Sequence, residues 1–404
     1  MIYFDNAATG GTKPPAVAGA VAAALEGCAN PGRGGHAAAA AAAENVLRCR
    51  KLLCRFFGGE SWERVVFTKN CTEALNAAIF GLAHAAVRAE DGRAAGSNAR
   101  AAGAGLRAAG GGRAKPHFVT TEAEHNAVLR PLYALERAGI ADVSVVPLQG
   151  GAPPPEGIAA AVRENTVAAV FTLASNVTGA AVDPAAVRAL LPARVLTVCD
   201  GAQACGHIPV DMRGTGIDAL AVAGHKGMHG IQGAGALLLS ERCSPAPLLY
   251  GGTGSASADA DMPGFYPDRL EAGTLSCPAI ASLAEGALYL AEHMREDAKK
   301  LEALTARLCE GLAAIRGIRV YSRPNPCGIV AFACETLQSE LFAQALSDGY
   351  GIAVRGGLHC APRMHAALGS DGLVRASLSA FNTAAETEAF LSAVRDVARG
   401  AVQP

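Results

Sequence analysis

The chain of 404 residues contains twelve cysteines but no Cys-x-x-Cys pair. That absence disfavours zinc and iron–sulfur frameworks built on such spacing, and no metal is expected. No apolar run approaches the ~20 residues needed to cross a bilayer. Charge is scarce: 18% of residues are charged and the formal net charge is −1, which leaves no electrostatic case for nucleic acid or an anionic membrane. The N-terminus, Met1-Ile2-Tyr3-Phe4-Asp5-Asn6, lacks a basic segment followed by a long apolar one. The chain therefore reads as cytoplasmic, with reduced thiols. Scattered cysteines in such a chain are by default small buried hydrophobes.

Apolar residues, by contrast, are plentiful: they make up 50% of a chain long enough for two domains and a large core. Strand-like runs at 64–68, 117–121, 143–147, 167–173, 195–200, 219–223 and 234–240 alternate with helix-like stretches at 37–57, 72–88, 128–138, 155–163 and 184–190. That alternation predicts an α/β domain with a mainly parallel seven-stranded sheet. Beyond residue 278 two amphipathic stretches, 279–293 and 296–315, precede short strands and further helices. The expected division is a large domain over 13–278 and a smaller α+β domain formed by 1–12 and 279–404. Residues 92–115 are Gly/Ala/Arg-rich and lack large apolar side chains. They are expected to be a flexible surface insertion rather than a basic nucleic-acid arm.

Lys226 follows an apolar run in Ala223-Gly224-His225-Lys226-Gly227. Asp200-Gly201-Ala202-Gln203 closes another, Val195-Leu196-Thr197-Val198-Cys199. A lysine, a strand-end carboxylate and a nearby amide are what pyridoxal 5′-phosphate asks of a protein: an amine to bind it, and a carboxylate to keep its ring nitrogen protonated. Five further segments fall at strand ends or near the domain junction. Cys71-Thr72 opens a helix whose N–H groups suit a phosphate, although Thr72 is also an ordinary cap. His125, in Glu124-His125-Asn126, could stack on a ring or simply cap a helix. Asn176, in Ser175-Asn176-Val177-Thr178-Gly179, could contact the ring oxygen or the substrate, or serve as a turn residue. Thr274 could serve phosphate, with Arg269 and Glu271 forming a plain ion pair. Arg375 suits a substrate carboxylate, and Arg355-Gly356-Gly357-Leu358-His359-Cys360 lies upstream of it.

In this order the motifs resemble the class V aminotransferase family of fold type I pyridoxal-phosphate enzymes, in its cysteine desulfurase and selenocysteine lyase branch. The likeness runs from Tyr3-Phe4-Asp5-Asn6 to Phe381-Asn382-Thr383. It implies a cofactor-linked lysine at Lys226 and a stacking His125. Asp200 would face the ring nitrogen and Gln203 the phenolic oxygen. Phosphate would be held by Thr72, the Cys71 amide and His225, with Thr274 crossing a homodimer interface. Arg375, Asn176 and Arg355 would bind the substrate. Arg33 and His36 match a segment near the site entrance in relatives, with a structural role as the equal alternative. Relatives often carry a Ser or Thr where this chain has Ala223, so one phosphate contact is missing.

The resemblance also implies the reaction. Cys360 stands where desulfurases carry the cysteine that takes sulfur from L-cysteine, leaving L-alanine and an enzyme persulfide for a sulfur-acceptor protein. The spacing from Arg355 to Cys360 resembles the group II enzymes. Arg355 and His359 are expected to place positive charge near the thiol, which favours thiolate. Alternatives are selenocysteine cleavage without need of Cys360, another class V lyase or aminotransferase activity, and a Cys360 with no role.

Overall fold

In the computed structural model, which describes residues 1–27, 29–32, 34–95 and 115–402, the apolar runs form a seven-stranded sheet. Its order is Val65–Thr68, Gly235–Leu239, Ala219–Ala223, Leu196–Asp200, Thr166–Thr172, His117–Thr121 and Asp142–Val146. Only Gly235–Leu239 runs against its neighbours, and the other ladders are parallel. The mainly parallel sheet matches the sequence reading.

Side-chain alternation explains why these runs make central strands. In Thr166–Thr172, Ala169 and Phe171 enter one core with Val46, Leu53 and Leu283. Ala168 and Val170 enter the opposite core with Leu75, Val128 and Leu132. Because helices cover both faces, the strands read as continuous apolar runs. Helix Pro184–Leu190 shows how the sequence sets helix starts: Asp183 accepts from the Ala185 N–H, and Pro184 takes the first position.

A third core gathers Phe4, Leu304, Leu308, Phe332, Phe342 and Phe390. Around it lie a three-stranded antiparallel sheet, Val374–Ser377, Ile329–Cys334 and Ile318–Val320, and helices Ser339–Tyr350 and Ala384–Val402. The N-terminal strand Ile2–Tyr3 pairs in parallel with Ile352–Ala353 beside this core.

Two expectations are corrected, and one helix is added. The stretches 279–293 and 296–315 form one helix, Cys277–Ala313, since nothing between them breaks it. Its first half packs under the large sheet and its second half fills the third core. Helix Pro15–Glu26, with a proline at its start, carries no apolar stripe to mark it in the sequence, since Val17 is its one buried residue. The helix expected at 72–88 runs over Cys71–Ala95, so residues 92–95 belong to it, while 96–114 lie outside the described residues.

Gly286 lies inside the long helix where a Cβ would stand 2.0 Å from the carbonyl oxygen of Met228, two residues after Lys226. Gly286→Ala should therefore destabilise the protein by about 1–3 kcal/mol, the usual range for overpacking, despite alanine's better helix propensity. Thermal denaturation checks this.

Candidate active site

Parallel strands bring their carboxyl ends to one edge of a sheet, where ligand crevices form. Here Thr68 leads to Cys71 and Thr72, Thr121 to His125, and Thr172 to Asn176. Asp200 ends its own strand with Gln203 just beyond, and Ala223 leads to His225 and Lys226. All of these side chains except the strand ends Thr68 and Thr121 line one cavity of about 70 Å³. Sequence-distant motifs meet because the strands that carry them lie in one sheet, in an order that departs from chain order.

Asp200 is buried, and its Oδ1 accepts from the Ala202 N–H at 2.9 Å and the Cys71 thiol at 3.3 Å. Oδ2 has no protein donor among the described residues. Burial pushes the Lys226 ammonium below the ordinary lysine range, against the pull of Asp200, so its amine is more available as a base. Gln203 is fixed by donating Nε2 to the Ala7 carbonyl at 3.0 Å. The Nδ1 of His225 lies 3.1 Å from the Thr9 hydroxyl, and Lys13 donates to the His225 carbonyl at 3.1 Å. Burial holds the His225 imidazole down at about 4. Ala223 lines the cavity and contributes no hydroxyl to it.

His125 satisfies both readings of its motif. Its Nδ1 accepts from the Ala127 N–H at 3.0 Å, capping helix Asn126–Arg137, while its ring lines the cavity. Burial pushes its pKa down to about 4 despite Asp200. The ring is therefore neutral at pH 7, with Nδ1 as acceptor and its proton on Nε2.

A second cluster adjoins the cavity. Arg375 is buried, donating Nη2 to Asp5 Oδ1 at 3.1 Å and Nη1 to the Asn176 carbonyl at 2.9 Å. Its buried Nε has no partner among the described residues, an opening for one more acceptor. Arg355 bridges to Arg375 through the backbone, and its Nη2 lies 4.0 Å from Cys360 Sγ. Cys360 is half-buried and lines a groove of about 300 Å³ that shares Thr72, His125 and Ala127 with the cavity. His359 cannot supply the positive charge expected of it, because burial drives its pKa down to about 2.

Other expectations fall elsewhere. Thr274 is exposed, outside the cavity of its own chain, and accepts from Asn30 Nδ2 at 3.5 Å. Glu271 does not pair with Arg269. It receives a fork from Arg50 at 2.7 and 2.6 Å and the Phe67 N–H at 2.5 Å, whereas Arg269 donates to the Pro245 carbonyl at 3.4 Å. His36 caps helix Ala37–Phe56 by accepting from the Ala39 N–H at 3.3 Å. Arg33 lies outside the described residues.

Sequence reasoning assigned no role to Asp5, Thr9, Lys13 or Glu124. The first three reach the site only through tertiary contacts. Glu124 is fully buried, and its Oε1 accepts from the Thr121 hydroxyl at 2.6 Å and the Thr172 N–H at 3.2 Å. Its Oε2 has no partner among the described residues. Burial raises its pKa to about 8, the two hydrogen bonds opposing. A carboxyl whose folded pKa lies above its unfolded value binds more protons when folded. Its stabilising effect is complete below the unfolded pKa and is lost as pH rises toward 8. Glu124→Gln should remove that slope, gaining up to about 1.4 kcal/mol per pH unit on the alkaline side. Chemical denaturation of both proteins at pH 5 and pH 8 tests this.

Comparisons with known proteins agree along the whole chain. The sequence model of the family described as "Aminotransferase class-V" matches residues 2–98 and 92–390. A protein of Methanothermobacter thermautotrophicus described as "Probable cysteine desulfurase" is 31% identical over 98% of this chain and 94% of its own length. One of Aeropyrum pernix with the same description is 32% identical over the same shares. The apo structure of a cysteine desulfurase from Thermococcus onnurineus NA1 superposes with a TM-score of 0.85 at 28% identity, covering 99% of this chain and 95% of that one. With fold, cavity and full-length similarity in agreement, the chain belongs to the class-V aminotransferase family.

Proposed function

We propose that this chain is a pyridoxal-phosphate-dependent cysteine desulfurase, a sulfurtransferase. It converts L-cysteine and the Cys360 thiol into L-alanine and a Cys360 persulfide, so that the substrate's carbon–sulfur bond breaks as a sulfur–sulfur bond forms. The observation that carries this reading is a half-buried cysteine beside an arginine, in a groove opening onto the Lys226–Asp200 cavity.

The residues fit the cofactor, because a buried carboxylate with one free oxygen faces a lysine whose charge is disfavoured by burial. When bound, pyridoxal 5′-phosphate supplies an electron sink for the substrate Cα. Lys226 would hold the cofactor, and its Nζ would accept the substrate's Cα proton. Asp200, through its free Oδ2, would keep the ring nitrogen protonated, and Gln203 would serve the phenolic oxygen. The Cys71 and Thr72 N–H groups, at the start of helix Cys71–Ala95, would hold phosphate with the Thr72 hydroxyl and His225. Arg375 and Arg355 hold the substrate carboxylate, for which Arg375 Nε is free. With Nδ1 engaged in the cap, His125 moves protons only at Nε2.

Thr274 is exposed and suited to reach a second copy's phosphate in a homodimer. The Cys360 groove opens outward, consistent with delivery of sulfur to an acceptor protein in the cytoplasm. No helix among the described residues is long and apolar enough to cross a membrane. Incubation with L-cysteine and a reductant should release alanine and sulfide in equal amounts. Absence of alanine would overturn the reading.

A further inference from the structure

Two adjacent non-glycine residues, His359 and Cys360, hold φ angles of +49° and +58°. Left-handed backbone is unfavourable for residues with a Cβ, and two in succession persist only where the surroundings impose them. Three contacts do so here. Asn176 Nδ2 donates to the His359 carbonyl at 2.7 Å, and the Asn126 N–H donates to the Cys360 carbonyl at 2.7 Å. The buried His359 ring donates from Nε2 to the Leu373 carbonyl at 3.0 Å. The first two donors follow different strands of the large sheet and are remote in sequence from the turn they hold. The Asn176 carbonyl, in turn, accepts from Arg375.

We propose that Asn176 is a positioning residue for Cys360. Its side-chain amide fixes the strained turn, so the thiol stays at the cavity mouth beside Arg355 and in register with Arg375. The need for a placed thiol rests on the desulfurase reading; whether the thiol is held does not. This role differs from the ring or substrate contact expected from the sequence, because an Asn176 N–H is already engaged with His359.

The test uses full-length holoenzyme carrying Asn176→Ala or Asn176→Asp, the latter isosteric but unable to donate. Iodoacetamide labelling of Cys360 is followed by peptide mass spectrometry, with the other cysteines as internal reference. Losing the clamp should raise the Cys360 labelling rate about fivefold, the factor expected for one hydrogen bond, with the cofactor's visible absorption unchanged. The kcat for alanine formation should fall more than KM changes. Asn126→Pro provides a second lever: it deletes the other donor at a first helical position, where proline is well tolerated, and should also raise labelling. Unchanged Cys360 labelling in the Asn176 variants overturns the proposal, and an accompanying shift in absorption would make Asn176 a cofactor contact instead. If wild-type protein makes no alanine from cysteine, the desulfurase reading falls while the labelling comparison still stands.

Discussion

Cys360→Ala should lower alanine formation from L-cysteine by about 10³-fold or more, the scale set by removing a covalent nucleophile. The cofactor's visible absorption should remain, because Cys360 lines the adjoining groove and not the cavity that holds Lys226 and Asp200. Loss of activity with loss of cofactor would point instead to a structural role. Retained desulfuration would mean that the thiol does not take the sulfur. The same variant assayed on selenocysteine should keep cleaving it, since selenium leaves more readily, so the desulfurase and lyase readings are separated by whether wild-type protein turns over L-cysteine in a Cys360-dependent way.

Lys226→Ala should cost at least as much, about 10⁴-fold, since one side chain supplies both the covalent attachment and the base. Borohydride reduction should fix cofactor to the Lys226 peptide of the wild type and to no peptide of the variant. Removing the lysine also leaves the buried Asp200 without its nearby positive charge, so some loss of stability is expected alongside. Lys226→Arg separates the two effects. Arginine restores positive charge toward Asp200 but cannot give up its proton, so stability should recover while activity does not. Activity retained by Lys226→Arg would sink the assignment.

Much of the fold and part of the site were legible in the sequence because both are written in local patterns. Strands buried on two faces must be continuously apolar, so 167–173 and 219–223 could be read without a structure. Lys226, Asp200 and His125 stand directly after such runs, and the ends of parallel strands converge on one edge. The misses have a common cause. His359 seemed a source of charge beside Cys360, but its burial keeps it neutral. Glu271 seemed a partner for Arg269 by proximity, but it faces Arg50, more than two hundred residues away. The uninterrupted helix Cys277–Ala313 carries two apolar faces for two cores and so read as two helices.

What the sequence determined by itself is the set of chemical groups and the strand ends that carry them, since side-chain alternation follows from short-range pattern. Only the tertiary structure decided how those groups are poised. The free Oδ2 of Asp200, the neutral Nε2–H tautomer of His125 and the left-handed turn at His359–Cys360 depend on donors, acceptors and burial supplied by segments far away in the chain. Solvent exclusion and hydrogen-bond partnership arise from packing, and spacing along the chain does not encode them.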